Sequence, residues 1–302
     1  MSVYFGNELE APCYASVSLR NKLAEIDADP AINCQGLTMS NGQRIFVEAI
    51  KKYCAERDIT IDIRCDGWLI VMQRGSSRHI AFGYDIGLNS AIALRIANDK
   101  SATAEMLAMS GIACVPHHLF LSPALDKHHS ALEQRERMRE MLGKYPDGIV
   151  LKPNEGTSGR CVVLVNDETA LQEAAKEIFS AHPSLAISPY VEIEEEVRVI
   201  LLDDVALAVY SKRRVDDWRH NLDFGARAIL LEKGEARDAC VAIAIEAAKA
   251  IDIRFSSIDV VRVGGHWQVL EINSGVMMEA LGRFYPELVH AAYSAALDKV
   301  FA

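Results

Sequence analysis

Two apolar runs, Ile258–Val263 and Trp267–Ile272, flank the pair Gly264-Gly265 within the stretch SIDVVRVGGHWQVLEINS that begins at Ser257. Apolar, β-branched runs on either side of a two-glycine break read as a β-hairpin. Few other features restrict the fold so tightly, because the turn sets the pairing of both strands. Asp259 stands near the start of the first strand, and Glu271 and Asn273 near the end of the second. Glu271 and Asn273 are two residues apart and share one face. Pairing about the glycines brings all three to the open end of the hairpin. Three hard oxygen side chains at one edge suit Mg²⁺ or Mn²⁺. The plainer reading is a strand end whose polar residues face water.

A chain of 302 residues has room for one large or two to three modest domains. Its formal net charge of −10 speaks against a general binder of nucleic acid or of acidic membranes. Seven cysteines, at positions 13, 34, 54, 65, 114, 161 and 240, are odd in number and include no C-x-x-C. That pattern fits reduced thiols better than a disulfide framework or a zinc site. The segment MSVYFGNELEAPC lacks a basic-then-apolar signal, and the apolar runs are too short for a membrane span. The expectation is a cytoplasmic protein.

Along the chain, helices are expected from about Asn41 to Arg57 and from Asn89 to Ala97, with strands at Thr60–Ile63, Trp68–Met72 and Ile80–Phe82 and an exposed turn from Arg74 to Arg78. Asp99 can cap a further helix that stops at Gly111. Ile112–Leu121 is extended but contains Pro116, which suits an edge strand. A charged helix covers 130–143 and another runs from Asp167 to His182. Strands are expected at 148–153, 161–165, 185–191, 197–202 and 205–212, then helices at about 234–251 and 287–300. The character of the chain changes near residue 97.

The strand Gly148–Pro153 ends in Lys152 and is followed by Asn154-Glu155-Gly156-Thr157-Ser158-Gly159-Arg160. This is strand, loop, strand, and so not a P-loop, which needs a helix after its loop. A tip rich in glycine and hydroxyls can turn N–H and O–H donors toward phosphate oxygens, or it can be an ordinary hairpin loop.

The order of these pieces resembles the ATP-grasp superfamily of carboxylate–amine ligases over about residues 80–283. It is most similar to the group holding ribosomal-protein glutamate ligases, cyanophycin synthetases and glutathione-forming ligases. The residues that carry the resemblance are IANDKSATAEMLAMSGIACVP, IVLKPNEGTSGRCVVLV, EEVRVILLDD, SKRRVDDWRHNLDFGA and IDVV…QVLEINS. It implies an α/β (α+β) ATP-grasp fold, with two subdomains gripping ATP at 98–187 and 188–302. A smaller N-terminal α/β domain would precede them at 1–97. It implies that Lys100 and Lys152 contact the ATP phosphates and that Gly156, Thr157, Ser158 and Gly159 close over them. Tyr190 and Val191 would meet the adenine, and Glu192, Glu194 or Glu196 the ribose. Asp259, Glu271 and Asn273 would carry two Mg²⁺ ions, with Mn²⁺ as an alternative. Arg219 and Asn221 would join Lys152 near the γ-phosphate and the acyl group. Arg198, Arg214, Ser274 and Gly275 are candidates to face the substrate.

The implied reaction activates a carboxylate with ATP and passes it to an amine, on amino acids or short peptides. Implied partners are small molecules, with no nucleic acid and no membrane, and a homodimer left open. Alternatives are another nucleophile, an internal ring closure, or a nucleotide-binding regulatory protein without turnover. The chain departs from the pattern at Ser274–Glu279, where many relatives have proline and glycine. It departs again at Ser257, where D-alanine-type ligases carry arginine, and at Ser188-Pro189 before the adenine segment.

Overall fold

The computed structural model describes residues 44–156, 159, 161–213 and 227–302. Expectations for residues 1–43, Thr157, Ser158, Arg160, Arg214, Arg219 and Asn221 lie outside the described residues.

The glycine hairpin forms as β11 (Phe255–Val263) and β12 (His266–Asn273). Gly264 and Gly265 have φ of 56° and 77°. Both lie in the left-handed region that a two-residue hairpin turn of matching twist requires. The register pairs Val263 with His266, Asp259 with Glu271 and Ser257 with Asn273. One extra residue, Leu270, enters β12 where the register slips between Asp259 and Val260. This bulge places Asp259 directly opposite Glu271.

The hairpin is one edge of a five-stranded antiparallel sheet. Its other strands are β8 (Glu195–Leu202), β9 (Val205–Arg213) and β10 (Arg227–Leu230), in the order β10-β9-β8-β11-β12. Side chains alternate across it. Val197, Val199, Leu201, Ile258 and Val260 point to one face. There they pack on α2 (Ala91–Asn98), α3 (Lys100–Met109) and α6 (Glu235–Ala250) through Ala93, Leu107, Ala244 and Ala247. The opposite face is apolar at one end, through Ile200, Leu202, Tyr210 and Phe255. At the other end it carries Glu196, Arg198, Lys212 and Asp259.

The apolar end is covered by α1 (Ile45–Glu56), the C-terminal helix α8 (Pro286–Val300) and a three-stranded antiparallel sheet. That sheet comprises β1 (Thr60–Arg64), β2 (Leu69–Arg74) and β3 (Ser77–Phe82). Phe46, Ile50, Tyr53, Ile70 and Met72 share one continuous core with Phe255, Tyr293 and Leu297. β3 begins at Ser77, earlier than expected, because Arg74 pairs with Ser77 across a two-residue turn at Gly75-Ser76.

A four-stranded antiparallel sheet lies across the cleft. It is formed by β4 (His118–Leu121), β5 (Ile149–Pro153), β6 (Val163–Val165) and β7 (Ser184–Pro189), in the order β4-β7-β5-β6. Ile149 and Leu151 turn to the core under α4 (Ala131–Lys144) and α5 (Glu168–Ala181), with Met138, Leu171 and Ile178. Alternation therefore sends Val150 and Lys152 to the other face. Ser130 and Glu133 form the capping box of α4. The extended run at 112–121 serves both sheets. Val115 N–H donates to the Val269 carbonyl at 2.9 Å, and Val269 N–H to that of Ala113 at 2.9 Å. After Pro116 the chain crosses over and becomes edge strand β4. Strand β10 and the single-turn helix α7 (Glu279–Gly282) were not expected, being too short to show a period. Among the described residues no helix is long and apolar enough to cross a membrane.

Gly148 delivers β5 with φ of 98°, and a Cβ there would lie 2.9 Å from the Val165 carbonyl oxygen and 2.0 Å from Asn166 Oδ1. Both the backbone conformation and the contact exclude a side chain. Gly148→Ala is expected to lower the unfolding free energy by about 2–4 kcal/mol, read from denaturant melts. A loss below about 0.5 kcal/mol would contradict this account of the turn.

Candidate active site

Between the two sheets lies a cavity of about 770 Å³. Its floor is a polar row that runs across four strands. Tyr210 pairs with Arg198, Arg198 with Asp259 and Asp259 with Glu271, each on the neighbouring strand. Directly opposed residues share a face, so antiparallel register alone lines them up.

Asp259 is 1 % exposed. Arg198 grips it in a fork, Nε to Oδ1 at 2.7 Å and Nη2 to Oδ2 at 2.6 Å. Lys212 Nζ lies 2.9 Å from the same Oδ1 and also donates to Glu196. Burial raises the Asp259 pKa, but Arg198 and Lys212 outweigh it and hold the carboxyl well below the usual range. Glu196 is pushed up to about 7 by burial, with Lys212 opposing and Asp259 adding to the rise. Lys212 was not singled out in the sequence. Its signal was a lysine alternating with Tyr210 inside an apolar strand, which also reads as a solvated strand end.

Asp99 ends α2 and caps α3, its Oδ1 accepting from Ala102 N–H at 2.8 Å. Lys100 thus opens α3, and its Nζ donates to the Gly156 carbonyl at 2.8 Å. Buried Asn154 accepts from Ser101 N–H at 3.1 Å and from Ser101 Oγ at 2.9 Å. The start of the glycine loop is therefore tied to the helix N-terminus. Lys152 is buried on the cleft side of β5. Burial lowers its pKa to about 8, with Lys100 adding to the fall and Glu271 and Glu196 opposing. Gly159 also lines the cavity. His117 went unnoticed in the sequence. It is buried in a second cavity of about 300 Å³ beside Lys100, and its Nε2 has no hydrogen-bond partner among the described residues. Burial, then Lys152 and Lys100, hold its pKa well below the ordinary value.

The segment after β7 lines the same cavity through Tyr190, Val191 and Glu192. The Tyr190 amide is already engaged, donating to the Gly148 carbonyl at 3.0 Å. Of the three acids that follow, Glu194 is held elsewhere. Its Oε1 accepts from Gly265 N–H at 2.9 Å and its Oε2 meets Arg262 Nε at 3.0 Å. Glu192 and Glu196 face the cavity.

Glu271 and Asn273 are half-buried at the cavity edge, with Asn273 Nδ2 donating to Glu271 Oε1 at 3.2 Å. Their oxygens are a hard donor set that fits Mg²⁺. Asp259 stands beside them with both carboxylate oxygens engaged by cations. No group of three or more His, Cys, Asp or Glu suited to a metal occurs among the described residues. Arg198 reaches the cavity, but its guanidinium is turned onto Asp259. Ser274 donates to Asn98 Oδ1 at 2.9 Å, and Gly275 approaches Tyr84.

The family profile described as a RimK-like ATP-grasp domain matches residues 97–285. A "Probable alpha-L-glutamate ligase" of Legionella pneumophila is 25 % identical over 197 residues, covering 64 % of this chain and 61 % of that protein. A "Ribosomal protein bS6--L-glutamate ligase" of Escherichia coli is 25 % identical over 198 residues, with the same shares. The chain thus spans about 61 % of the length of these curated relatives. Among solved structures, the VanG D-Ala:D-Ser ligase of Enterococcus faecalis matches with a TM-score of 0.56 at 15 % identity, over 70 % of this chain and 63 % of that one. A D-alanine–D-alanine ligase of Bacillus anthracis matches at 0.53 and 19 %, over 71 % and 72 %. The expected ATP-grasp fold is the one observed.

Removing Arg198 leaves Asp259 buried with one cation fewer. Arg198→Met is expected to cost about 3–5 kcal/mol, and adding Asp259→Asn to restore part of it, in a double-mutant cycle. Additive losses would mean the two do not act as a pair. Glu196 titrates higher in the folded state than its ordinary 4.5, so its stabilising contribution is full below that value and is lost as pH rises through about 7. Unfolding free energies measured from pH 5 to 8 should fall less steeply in Glu196→Gln; an unchanged slope would argue against the raised pKa.

Proposed function

We propose that this chain, which belongs to the RimK-like ATP-grasp family, is an ATP-dependent carboxylate–amine ligase acting on amino acids or short peptides. The observation that carries this reading is the facing of Lys152, from the four-stranded sheet, against Glu271 and Asn273 of the five-stranded sheet in one cleft, which Lys100 at the start of α3 also lines. Cations and hard oxygens gathered in this way suit a polyphosphate laid between two sheets.

A carboxylate is a poor electrophile. Transfer of the γ-phosphoryl group makes it an acyl phosphate, and an amine then displaces phosphate to form the amide. The protein must first hold two anions against each other. Lys152, buried at the end of β5, and Lys100, at the start of α3, bind the phosphates and screen that repulsion. Gly156, Thr157, Ser158 and Gly159 cover them and keep water from the acyl phosphate. Val191 and Tyr190 meet the adenine, and Glu192 or Glu196 the ribose. Arg219 and Asn221 orient the transferred group and the acyl carbon. Glu271 and Asn273, with Asp259 beside them, would hold two Mg²⁺ ions, or Mn²⁺. When bound, these ions neutralise phosphate charge during in-line transfer. The need for ATP places the reaction in the cytoplasm, with small-molecule partners in place of nucleic acid or membrane.

One observation favours a second reading. Asp259 is saturated by Arg198 and Lys212, as a nucleotide-binding protein without turnover could afford. The assay that separates them follows ADP with ATP, Mg²⁺ and pools of carboxylates and amines. ADP release that needs both substrates is expected; ADP binding with no turnover in any pool would support the binder. Glu271→Gln is expected to lower turnover by about 100-fold or more while its unfolding midpoint stays unchanged. Full activity in that variant would remove Glu271 from the site.

A further inference from the structure

A helix leaves its first four backbone N–H groups without an intrahelical partner. At the start of α3 all four find one outside the helix. Asp99 N–H donates to the Arg95 and Ile96 carbonyls of α2 at 3.2 and 3.1 Å. Ala102 N–H donates to Asp99 Oδ1 at 2.8 Å. The other two go to a single residue just past β5. Lys100 N–H donates to the Asn154 carbonyl at 3.2 Å, and Ser101 N–H to Asn154 Oδ1 at 3.1 Å. Ser101 Oγ donates to the same Oδ1 at 2.9 Å. Asn154 N–H in turn donates to the Ser184 carbonyl, at the start of β7, at 3.3 Å. Asn154 and Ser101 are 1 % and 5 % exposed.

A helix end with free N–H groups is a ready anion site. Here those groups are already engaged, so α3 can meet a phosphate only through the Lys100 side chain. A lysine is a point charge on a flexible stem, and its reach is set by where its backbone is held. Asn154 sets that backbone. It follows Lys152 by two residues and precedes Gly156 by two, and the Gly156 carbonyl takes the Lys100 ammonium at 2.8 Å. One buried side chain therefore joins the helix that carries Lys100 to the strand that carries Lys152. The residue type suits the task. An amide oxygen has two lone pairs and accepts both Ser101 donors without charge. An apolar residue would leave those donors buried and unpaired. A carboxylate would compete with phosphate for the two lysines.

We infer that Asn154, with Ser101 as its partner, is a positioning residue for the polyphosphate. It sets the spacing of Lys100 and Lys152 and holds the start of the glycine loop on α3. This deepens the proposed nucleotide site and rests on that reading. Asn154 acts through the lysines and is not itself a ligand.

The test is calorimetric titration of the full chain with ATP and Mg²⁺, and with adenosine, which lacks the phosphates. Asn154→Ala is expected to weaken ATP about ten-fold and adenosine less than about two-fold. A merely structural role would weaken both alike. Should that variant fail to fold, Ser101→Ala removes the Oγ bond alone and should weaken ATP about three-fold, again sparing adenosine. In the Lys100→Met background the further loss from Asn154→Ala should shrink to less than about three-fold. Equal losses for ATP and adenosine, additive losses with Lys100→Met, or unchanged ATP affinity in the folded variant would overturn the inference and leave the nucleotide site standing. ADP release with pools of carboxylates and amines is measured in parallel. ATP binding that depends on Asn154, without turnover in any pool, would support the inference and remove the ligase reading alone. No ATP binding by the unchanged protein would overturn both.

Discussion

The fork between Arg198 and Asp259 is the interaction on which the rest of the site depends. It joins β8 to β11 at the centre of the five-stranded sheet, where burial makes an unpaired charge prohibitive. Satisfying Asp259 needs Lys212 from β9, and Lys212 in turn takes Glu196 from β8. Four charged side chains from three strands are thus held in one network, each depending on the others for its partner. Such a network contributes little net stability compared with apolar packing. It does fix which face of the sheet is polar and where on that face the polar patch begins.

That patch explains the division of the sheet. Along β8, Ile200 and Leu202 continue the same face as Glu196 and Arg198, yet they belong to the core shared with α1 and α8. The boundary between closed core and open cleft therefore falls within one strand, between Arg198 and Ile200. The N-terminal sheet reaches that boundary through Tyr84 and Gly275. This is how a part of the chain with no phosphate-binding residues comes to form a wall of the cleft. The second sheet approaches from the other side and contributes Lys152 by the simplest of rules. Ile149 and Leu151 face its helices, so Lys152 cannot.

Much of this was legible in the order of residues. The glycine pair announced the hairpin, and strand alternation then placed Glu271 and Asn273 on one face, with Asp259 at the same open end. Asp99 announced the start of α3 and so the position of Lys100. The one-residue bulge at Leu270 was not legible, because it depends on what β11 finds on its other side. Strand β10 and helix α7 were too short to leave a period. Lys212 was not singled out in the sequence, and only its neighbours across the sheet reveal it as a buried ion-pair partner. Glu192, Glu194 and Glu196 were equivalent in the sequence. They separate once the Gly264-Gly265 turn draws Glu194 to its own amide and Lys212 draws in Glu196.

Short-range periodicity, capping and turn chemistry made most of the local elements and the family resemblance readable along the chain. Which charges engage one another, and which wall closes the cleft, was settled by the packing of distant segments. The physical reason is distance along the chain. Asp259 lies 61 residues from Arg198 and Glu279 lies 195 from Tyr84, and no local pattern encodes a partner so remote. The hairpin that first suggested three oxygens for a metal thus has one of them, Asp259, held by a strand far earlier in the chain.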